Sequence, residues 1–404
     1  MNNSNKVNKT NNFNNKQSEF QRITRLIPLE GGQIDWSAIE KTSLALTLSQ
    51  MARTNQSPKY HGEIDVLTHT KMVCEEMIRQ PEYINGSLND KIVLFWAALL
   101  HDIGKITCTV MINGELKNPY HATKGASMAR ALLWRELGLC GSVEAQAMRE
   151  SICLLIRYHS FPPYAATYKD AEFRLLKMAA NGELAPYFSI RGLCALERAD
   201  MLGRIYSGIE DSLEKIEWCK ALAEEAECFT EPYKFTNDFS QRAYFLGKTA
   251  WKNHDMFNDS WGKVILMSGL AGTGKDTYVA KYYSDIPVVA LDDVRHELKA
   301  LPTDNQGKVI ALAKERAREY LRKKQPFVWN ATNLTTMLRD SLISLFEEYG
   351  ASVEIVFLET EWAEQHRRNS SRSRVVADAT IDNMLERLNI PERYESERVL
   401  WKIV

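Results

Sequence analysis

The stretch VILMSGLAGTGKDT, residues 264–277, determines how the second half of the chain folds. Its first five residues indicate a buried β-strand, and a helical pattern follows the glycines. Glycines let backbone N–H groups wrap a polyphosphate, a lysine reaches the terminal phosphate oxygens, and the helix start adds partial positive charge. The pattern GxxxxGK therefore predicts a phosphate-binding loop. We expect its nucleotide contacts at Gly269, Gly272, Thr273, Gly274, Lys275, Asp276 and Thr277.

Three more stretches in this half resemble buried strands. They are PVVAL at 287–291, PFVWN at 326–330 and SVEIVFLE at 352–359, and a helical pattern follows each. Strands without a polar face that alternate with helices indicate a parallel sheet covered on both sides. We predict an α/β domain with a mostly parallel sheet over residues 256–404.

Acidic side chains near this loop are candidates for metal binding and proton transfer. Asp276 occupies the position where Ser or Thr usually binds Mg²⁺, and a carboxylate can bind the ion directly or through water. Asp292 follows the second predicted strand, where a side chain faces the ligand crevice. It can bind Mg²⁺ or act as general base on an attacking hydroxyl. The structural alternative is a helix N-cap, which suits Asp293.

Four arginines lie within eight residues after the strand at 352–359. They are Arg367, Arg368, Arg372 and Arg374. We expect Arg368 and Arg372 to share one helix face and to clamp a transferring phosphoryl group. An exposed basic helix end is the alternative. Asn330 and Asn333 also close a strand and face the same crevice, without an assigned role.

In the first half of the chain, the stretch LFWAALLHDIGK, residues 94–105, is the most informative about fold and site. A buried helix pattern ends in adjacent His and Asp, and Gly104 is expected to form the C-terminal turn. Amphipathic helix patterns fill residues 25–225, so we predict an all-α domain. Further polar residues at or near the ends of such helices give the order His61, His69, His101, Asp102, His121, His159 and Asp200.

Imidazole and carboxylate groups together are ligands for transition metals: nickel, copper, cobalt, manganese, iron or zinc. Asp102 has two oxygens and could bridge two ions, which together polarise a phosphoryl group. One His near a helix end is more often a packing residue, and His61 is assigned to that class. The combined order of the others predicts one or two metal ions.

The composition of the whole chain limits the number of domains, the surface charge and the compartment. The chain has 404 residues and a net charge of −1, which indicates two domains and excludes a wholly basic surface. Seven cysteines without CxxC spacing indicate reduced thiols and a cytoplasmic protein. Apolar runs are too short to cross a membrane. Residues 1–22 are rich in Asn and predicted to be a disordered tail, leaving 23–255 for the helical domain.

The helical half resembles the HD phosphohydrolase superfamily in His69, HDIGK at 101–105, His121, His159 and ADMLGR at 199–204. With YHGEIDVLTHT at 60–70, it is most similar to the HD domain of bacterial CCA-adding enzymes, which acts on 2′,3′-cyclic and 2′-phosphate ends. This resemblance implies two ligand sets that share Asp102. The first is His69, His101, Asp102 and Asp200. The second is Asp102, His121 and His159. It also implies that Lys105 and Arg204 contact phosphate. The nucleotidyltransferase domain of those enzymes is missing.

The second half resembles the bacteriophage-type polynucleotide kinase family in its phosphate-binding loop, DDVR at 292–295 and RNSSR at 368–372. The resemblance implies that Asp292 is the general base for a 5′-hydroxyl. It also implies that Arg295 contacts the acceptor phosphate and that Arg368 and Arg372 bind donor phosphates. Asp276 departs from the family pattern and leaves the metal geometry open.

The order of the two halves resembles bacterial HD-Pnk end-healing enzymes. That resemblance implies RNA or DNA ends as substrates, Mg²⁺ with ATP, GTP or another NTP, and a polynucleotide ligase acting downstream. One alternative is an HD phosphohydrolase fused to a small-molecule or nucleotide kinase. Another is a nucleotide-gated regulatory protein.

Overall fold

The computed structural model describes residues 18–301, 304–372 and 374–404. Its α-helices are α1 Glu19–Thr24, α2 Trp36–Ile39, α3 Ala45–Ala52, α4 Val66–Met77, α5 Pro81–Ile84, α6 Leu88–Leu100, α7 Lys105–Cys108, α8 His121–Ala131, α9 Val143–Tyr158, α10 Ala171–Ala179, α11 Ile190–Leu202, α12 Ile209–Glu225, α13 Asp238–Phe245, α14 Lys275–Tyr282, α15 Leu291–Glu297, α16 Gly307–Arg322, α17 Thr336–Glu348, α18 Trp362–Ser370 and α19 Asp378–Glu386.

The strands are β1 Val110–Ile112, β2 Glu115–Lys117, β3 Lys263–Ser268, β4 Val288–Ala290, β5 Phe327–Asn330, β6 Ser352–Glu359 and β7 Arg398–Ile403. Short 3-10 turns lie at Pro162–Thr167, Ala180–Glu183 and Arg393–Glu395, and a π-turn lies at Leu132–Glu136. A helical half followed by a half with a parallel sheet confirms the predicted fold class.

Helix α6 is the centre of the helical half. Ser87 caps its start in a reciprocal bond with Asp90, and every residue from Ile92 to Leu100 is buried. A helix that is apolar on all sides needs neighbours on all sides, and α4, α9 and α11 pack around this one. The helix ends at His101, so the predicted His-Asp pair lies in the interior of the domain.

A β-hairpin interrupts this otherwise helical half. Strands β1 and β2 pair antiparallel, and Asn113 and Gly114 between them have φ values of 53° and 81°. Two left-handed residues in succession are typical of a type I′ turn. The hairpin is not predictable from the apolar pattern, because its strands are three residues long and largely exposed.

The predicted disordered tail falls mostly on residues 1–17, which lie outside the described residues. Residues 19–22 differ from the prediction because they begin helix α1. Ser18 caps this helix, and Phe20 stacks on Trp96 with ring centroids 4.9 Å apart. Burial of this aromatic pair orders a segment that its polar neighbours had marked as tail.

The second half contains a five-stranded parallel sheet in the order β4-β5-β3-β6-β7. Alternate residues of the central strand β3 face opposite layers. Val264 and Leu266 pack with α16 and α17, whereas Ile265 and Met267 pack with α14. The phosphate-binding loop follows this strand directly. Edge strand β7 was not predicted, because its partly exposed residues lack the apolar run of the other strands.

Residues 246–262 join the halves without helix or strand, and the domain boundary at 255/256 stays a prediction. Among the described residues, no helix combines the length and the apolar character that a membrane crossing needs.

A buried ion pair connects the two halves. The Arg149 guanidinium on α9 donates to both oxygens of Glu359 at the end of β6, at 2.8 and 2.7 Å, and both side chains are fully buried. Arg149 also lies over the Trp134 ring, 4.1 Å from its centroid. Gln146 donates to the same Glu359 carboxylate at 2.8 Å. This part of the interface thus combines buried charged groups that are paired with one another and an apolar cluster in which Trp134 packs with Leu270 and Phe357.

A second contact uses Glu392, which is 1% exposed. Its carboxylate accepts hydrogen bonds from Arg157, from the Tyr158 hydroxyl at 2.7 Å and from Asn181 at 2.8 Å. Arg157 and Tyr158 end helix α9, directly before His159. The second half therefore fixes the end of the helix that positions this candidate ligand.

We expect Arg149→Met to lower the free energy of unfolding by about 3–5 kcal/mol, because it leaves the Glu359 carboxylate buried and unpaired. Urea unfolding followed by circular dichroism measures the loss. Arg174→Met is the control, because that arginine is half-exposed and its pair with Asp170 contributes at most about 1 kcal/mol. The double change Arg149→Met/Glu359→Leu should recover most of the loss. A single variant as stable as the Arg174 control would contradict this account.

Candidate functional site

The candidate metal cluster is built from histidines whose orientation is fixed by the backbone. Three of them donate Nδ1–H to the carbonyl oxygen three residues earlier: His101 to Ala98 at 2.8 Å, His121 to Asn118 at 2.9 Å and His159 to Ile156 at 2.7 Å. Nδ1 of His69 lies 3.2 Å from the Gly203 carbonyl oxygen. These bonds leave Nε2 of each ring as the free lone pair, which is the arrangement that metal-binding histidines use.

The four Nε2 atoms meet two carboxylates, Asp102 in the turn after α6 and Asp200 on α11. One group comprises His69, His101 and Asp200, and a second comprises Asp102, His121 and His159. In the first, His69 Nε2 lies 2.9 Å from Asp200 Oδ1 and 3.4 Å from His101 Nε2. In the second, His121 Nε2 lies 3.3 Å from His159 Nε2 and 3.6 Å from Asp102 Oδ1. The structure therefore brings together all six residues of the helical half for which the sequence predicted metal binding, whereas the seventh candidate, Asp276, lies in the second half.

Asp102 lies close to the histidines of both groups, and in the described part of the chain its carboxylate oxygens lack hydrogen bonds. Its Oδ2 lies 3.6 Å from His69 Nε2 and 3.3 Å from His101 Nε2. Both oxygens are buried, and within the described residues neither has a hydrogen bond of acceptable geometry, although the Lys105 ammonium lies 2.6 Å from Oδ2. A buried carboxylate with unsatisfied oxygens favours a cation. The residues present therefore fit one or two divalent ions.

His61 and Glu63 lie beside this cluster, and the sequence analysis gave them no metal role. Glu63 Oε1 lies 2.7 Å from His61 Nδ1 and 3.0 Å from His69 Nδ1. Both histidine atoms are Nδ1, so on His69 the contact uses the ring nitrogen other than the Nε2 that faces the cluster, and the distances are those of hydrogen bonds. Glu63 also accepts from the Ile205 N–H at 3.1 Å. The spacing H-x-E before His69 was the available signal.

Glu63 keeps its charge in this setting. Burial alone raises the pKa of its carboxyl, but the hydrogen bonds with His61 and His69 outweigh burial and bring the pKa below its ordinary value. A carboxylate that receives the second N–H of a metal-binding histidine makes that ligand more basic and fixes its ring. Glu63 can do both for His69.

Lys105 and Arg204, which the resemblance placed on substrate phosphate, are paired with ligand carboxylates instead. Lys105 is buried, with Nζ 2.6 Å from both Asp102 Oδ2 and Gln56 Oε1. Arg204 Nε donates to Asp200 Oδ1 at 3.0 Å. Glu197, one turn before Asp200, was also missed. Burial, and then the neighbouring Asp200 charge, raise its pKa well above the ordinary value.

Gly104 has a different role from the predicted one. It does not form a left-handed turn, since its φ is −65°. A Cβ there would lie 2.1 Å from the His121 carbonyl oxygen and 2.7 Å from the Gly125 nitrogen. The missing side chain thus lets helix α8, with His121 at its start, approach the His101-Asp102 turn.

Gly104→Ala should therefore displace His121 and reduce the bound metal, since contacts this short with backbone atoms force helix α8 to move. Metal content per chain, measured on purified protein, should fall by about half or more, because one of the two ligand groups loses its geometry. Gly262→Ala is the matched control, because its added Cβ meets no atom closer than 3.7 Å. Unchanged metal content in Gly104→Ala would show that the close approach is dispensable.

The phosphate-binding loop has the expected backbone. Gly269, Gly272 and Gly274 have φ values of 139°, 84° and 85°, a region that disfavours other residues. Helix α14 begins at Lys275, and the Lys275 ammonium donates to the carbonyls of Gly269 and Leu270 at 3.0 and 2.8 Å. Thr273 is buried and bonds the Leu270 carbonyl, while Thr277 is exposed.

The two asparagines after β5 have separate tasks. Asn330 donates to Asp276 Oδ1 at 2.7 Å and so orients this candidate magnesium ligand. Asn333 donates to the Met267 carbonyl at 2.7 Å, and its own carbonyl accepts from Ser268. Asn333 therefore joins two neighbouring strand ends, whereas Asn330 belongs to the site.

Asp292 and Arg295 lie in helix α15, whose first residue is Leu291. Asp292 is thus in the first helical turn, where a carboxylate is favoured by the helix dipole. Its side chain is 69% exposed and pairs with Arg295, which also bonds Gln306 at 2.9 Å. The helix has no side-chain N-cap, so Asp293 does not have the capping role considered for it.

Helix α18 places arginines over the loop. Arg368 Nη1 lies 3.3 Å from the position of a Cβ at Gly274, and Arg368 Nε donates to Glu364 at 2.7 Å. Gln365 ties the helix to the loop through the Ala271 carbonyl at 2.8 Å. The predicted shared helix face is wrong, because α18 ends at Ser370 and Arg372 lies beyond it. The charge of Arg372 nevertheless acts on Lys275.

Comparisons with known proteins agree with this division. Residues 66–191 match the family model of the HD domain, and residues 264–391 match that of an AAA domain. Among solved structures, the chain is similar to a gluconokinase from Sinorhizobium meliloti 1021, at 19% identity and a TM-score of 0.28, over 36% of this chain and 84% of that one. The comparison with curated proteins gave no match.

The chain thus contains an HD domain followed by a domain with a phosphate-binding loop that matches an AAA domain. Five of the six clustered metal-site residues lie within the HD match, and Asp200 lies nine positions beyond it. An HD domain implies a divalent metal, and a P-loop kinase-like domain implies a nucleoside triphosphate with Mg²⁺.

Nucleotide binding at pH 8 should be accompanied by proton uptake. Burial lowers the pKa of Lys275 to about 8, partly offset by Asp276. Half of the free protein therefore carries a neutral Lys275 at that pH, and bound phosphates favour its charged form. We expect uptake of about 0.5 proton per nucleotide, falling toward zero at pH 6.5. Calorimetry in buffers of different ionisation enthalpy measures it. Equal uptake by Lys275→Met would assign the proton to another group.

Proposed function

We propose that this protein repairs broken nucleic-acid ends, with the HD domain removing 2′,3′-cyclic, 2′- or 3′-phosphates and the other domain phosphorylating 5′-hydroxyls. The observation that carries the proposal is the joining of two sites with opposite phosphate chemistry through a buried interface. One site has the ligands for phosphoester hydrolysis, and the other has a loop for a phosphoryl donor. A break with 5′-hydroxyl and cyclic phosphate ends requires both reactions.

In the HD domain, His69, His101, Asp102 and Asp200 would hold one ion, and Asp102, His121 and His159 a second. A bound divalent ion supplies Lewis acidity toward a phosphate ester. The protein's own part is to hold four Nε2 lone pairs toward the centre through backbone and Glu63 hydrogen bonds. Lys105 and Arg204 contact the substrate phosphate in this proposal, at the expense of their pairs with Asp102 and Asp200.

In the kinase-like domain, Lys275 and the glycines of the loop hold the donor phosphates, and Asp276 holds Mg²⁺ with Asn330 behind it. Asp292 accepts the proton of the 5′-hydroxyl as its oxygen attacks the γ-phosphorus and the bond to the β-phosphate breaks. Arg295 moves from Asp292 to the phosphate next to the acceptor end. Arg368 and Arg372 balance the charge on the transferring group.

The products match what a polynucleotide ligase requires, since the 5′ end gains a phosphate and the opposite end loses its block. A ligase is therefore the expected downstream partner. The exposure of Asp292 supports a macromolecular acceptor, because an open base can approach the end of a strand.

A single assay with two labels tests both halves. One RNA carries a 5′-hydroxyl and another a 2′,3′-cyclic phosphate, with Mg²⁺, NTP and a panel of transition metals. We expect Asp292→Ala to reduce 5′-phosphorylation about 100-fold or more while cyclic-end opening continues. Asp102→Ala should give the reverse, so each variant controls for the other. Consumption of free nucleotides or small alcohols with no change at either RNA end would replace this proposal with a metabolic function.

A further inference from the structure

Exposed apolar side chains lie close in sequence to residues of the candidate metal cluster and to their hydrogen-bond partners. Tyr60 and Ile64 lie near His61, the hairpin β1–β2 precedes the candidate ligand His121, Tyr164 and Tyr168 follow the candidate ligand His159, and Ile205 lies beside Arg204. Single exposed apolar residues are ordinary, but a group of them around a site indicates contact with a ligand.

Solvent reaches the cluster at His121. Its side chain is 21% exposed, whereas those of the other five predicted ligands are at most about 2% exposed. Tyr120 is the residue directly before it and is 85% exposed. The ring therefore stands in solvent beside the most accessible ligand of the cluster.

The backbone at Tyr120 is also held in an unusual state. Its φ is 60° and its ψ is 15°, in the left-handed region that bulky residues seldom adopt. Such strain persists only where the surroundings fix it, and it concentrates at functional sites. Here the close packing of the His121 carbonyl on Gly104 fixes the turn and orients the segment that carries the ring.

We call this group of exposed residues, together with Tyr120, the rim, and two of its other aromatic residues are accompanied by cations. Lys59 lies over the Tyr60 ring, 5.1 Å from its centroid, and Tyr60 is 5.7 Å from Tyr206. Arg174 lies over Tyr168 at 4.4 Å. Aromatic faces next to cations suit single-stranded nucleic acid, whose bases stack and whose phosphates need positive charge.

We propose that Tyr120 stacks on the base of the terminal nucleotide when a single-stranded RNA end enters the HD site. Tyr60 and the hairpin β1–β2 form the adjoining wall. This inference rests on the proposed function for its substrate class, and it adds a site that selects ends with a terminal base over bare phosphate esters.

The test measures binding separately from turnover. Fluorescence anisotropy of the full chain is recorded with two ten-nucleotide RNAs that differ only in the terminal base, one of them being abasic there. In both, a CH₂ group replaces the ester oxygen of the 3′-phosphate, so they bind without being hydrolysed. We expect removal of the base to weaken binding by roughly 5- to 100-fold in the natural protein.

Tyr120→Ala should bind both RNAs equally, at the affinity of the abasic one, whereas Tyr120→Phe should keep the difference. Tyr120→Asn provides a second variant without the ring, because Asn tolerates the left-handed backbone. Metal content of each variant shows that the cluster is intact. Phe257→Ala is the control, since that ring is 86% exposed and lies in the segment between the halves.

A natural protein that does not distinguish the two RNAs overturns the proposal, even if it opens cyclic ends and the proposed function holds. A base preference that survives in Tyr120→Ala and Tyr120→Asn overturns it as well. Loss of the preference in both variants supports the stacking site, whatever the turnover assay shows. Copurification of another protein on this rim, without base preference, would assign the rim to a protein partner.

Discussion

The pairing of Arg149 with Glu359 is the constraint on which the arrangement of both sites depends. Helix α9 carries Arg149 in its first half and ends beside His159, ten residues or about 15 Å further along. Helix α8 begins with the ligand His121, and near its other end Arg130 pairs with Glu150 and reaches the Leu388 carbonyl. Two helices thus extend from the candidate metal cluster to the interface with the α/β domain.

Charges at both sites are paired with one another in the structure, so substrate binding is an exchange of partners. Exposed pairs such as Arg295 with Asp292 contribute about 1 kcal/mol or less and open readily. The buried pair of Lys105 and Asp102 is different, because an unpaired charge there would be costly. A divalent ion on Asp102 would supply the positive charge that allows Lys105 to turn toward a phosphate.

The sequence predicted what depends on local pattern. Within residues 264–277, the phosphate-binding loop follows its strand as predicted. The six candidate ligands of the helical half also meet. Both features depend on the periodicity of apolar residues and on residue type. It did not predict what depends on contacts distant in sequence. The role of Gly104 requires knowing that His121 packs on it, and Glu63 is recognisable only once His69 lies beside it. Arg204 was predicted to contact phosphate, because its partner Asp200, four residues earlier, was assigned only a metal-binding role.

The predicted ends of helices and strands were inaccurate for a related reason. The end of α18 before Arg372 and the start of α15 at Leu291 differ from the pattern by one or two residues, which is the usual uncertainty of helix ends. Strand β7 has no strong apolar signal and is defined by pairing with β6 at the edge of the sheet. Which residues meet at each site was therefore easier to predict than the hydrogen bonds that surround them.

The interface has a consequence for the segment 246–262, which lacks helix and strand. A protease that cuts there would nick the chain without separating the pieces, because Glu359 and Glu392 would still be held by arginines of the other fragment. Neither fragment would be stable alone, since each would expose arginines or carboxylates that are buried and paired in the intact protein. Splitting the gene at this point would thus give two polypeptides that must be made together and that assemble as one particle.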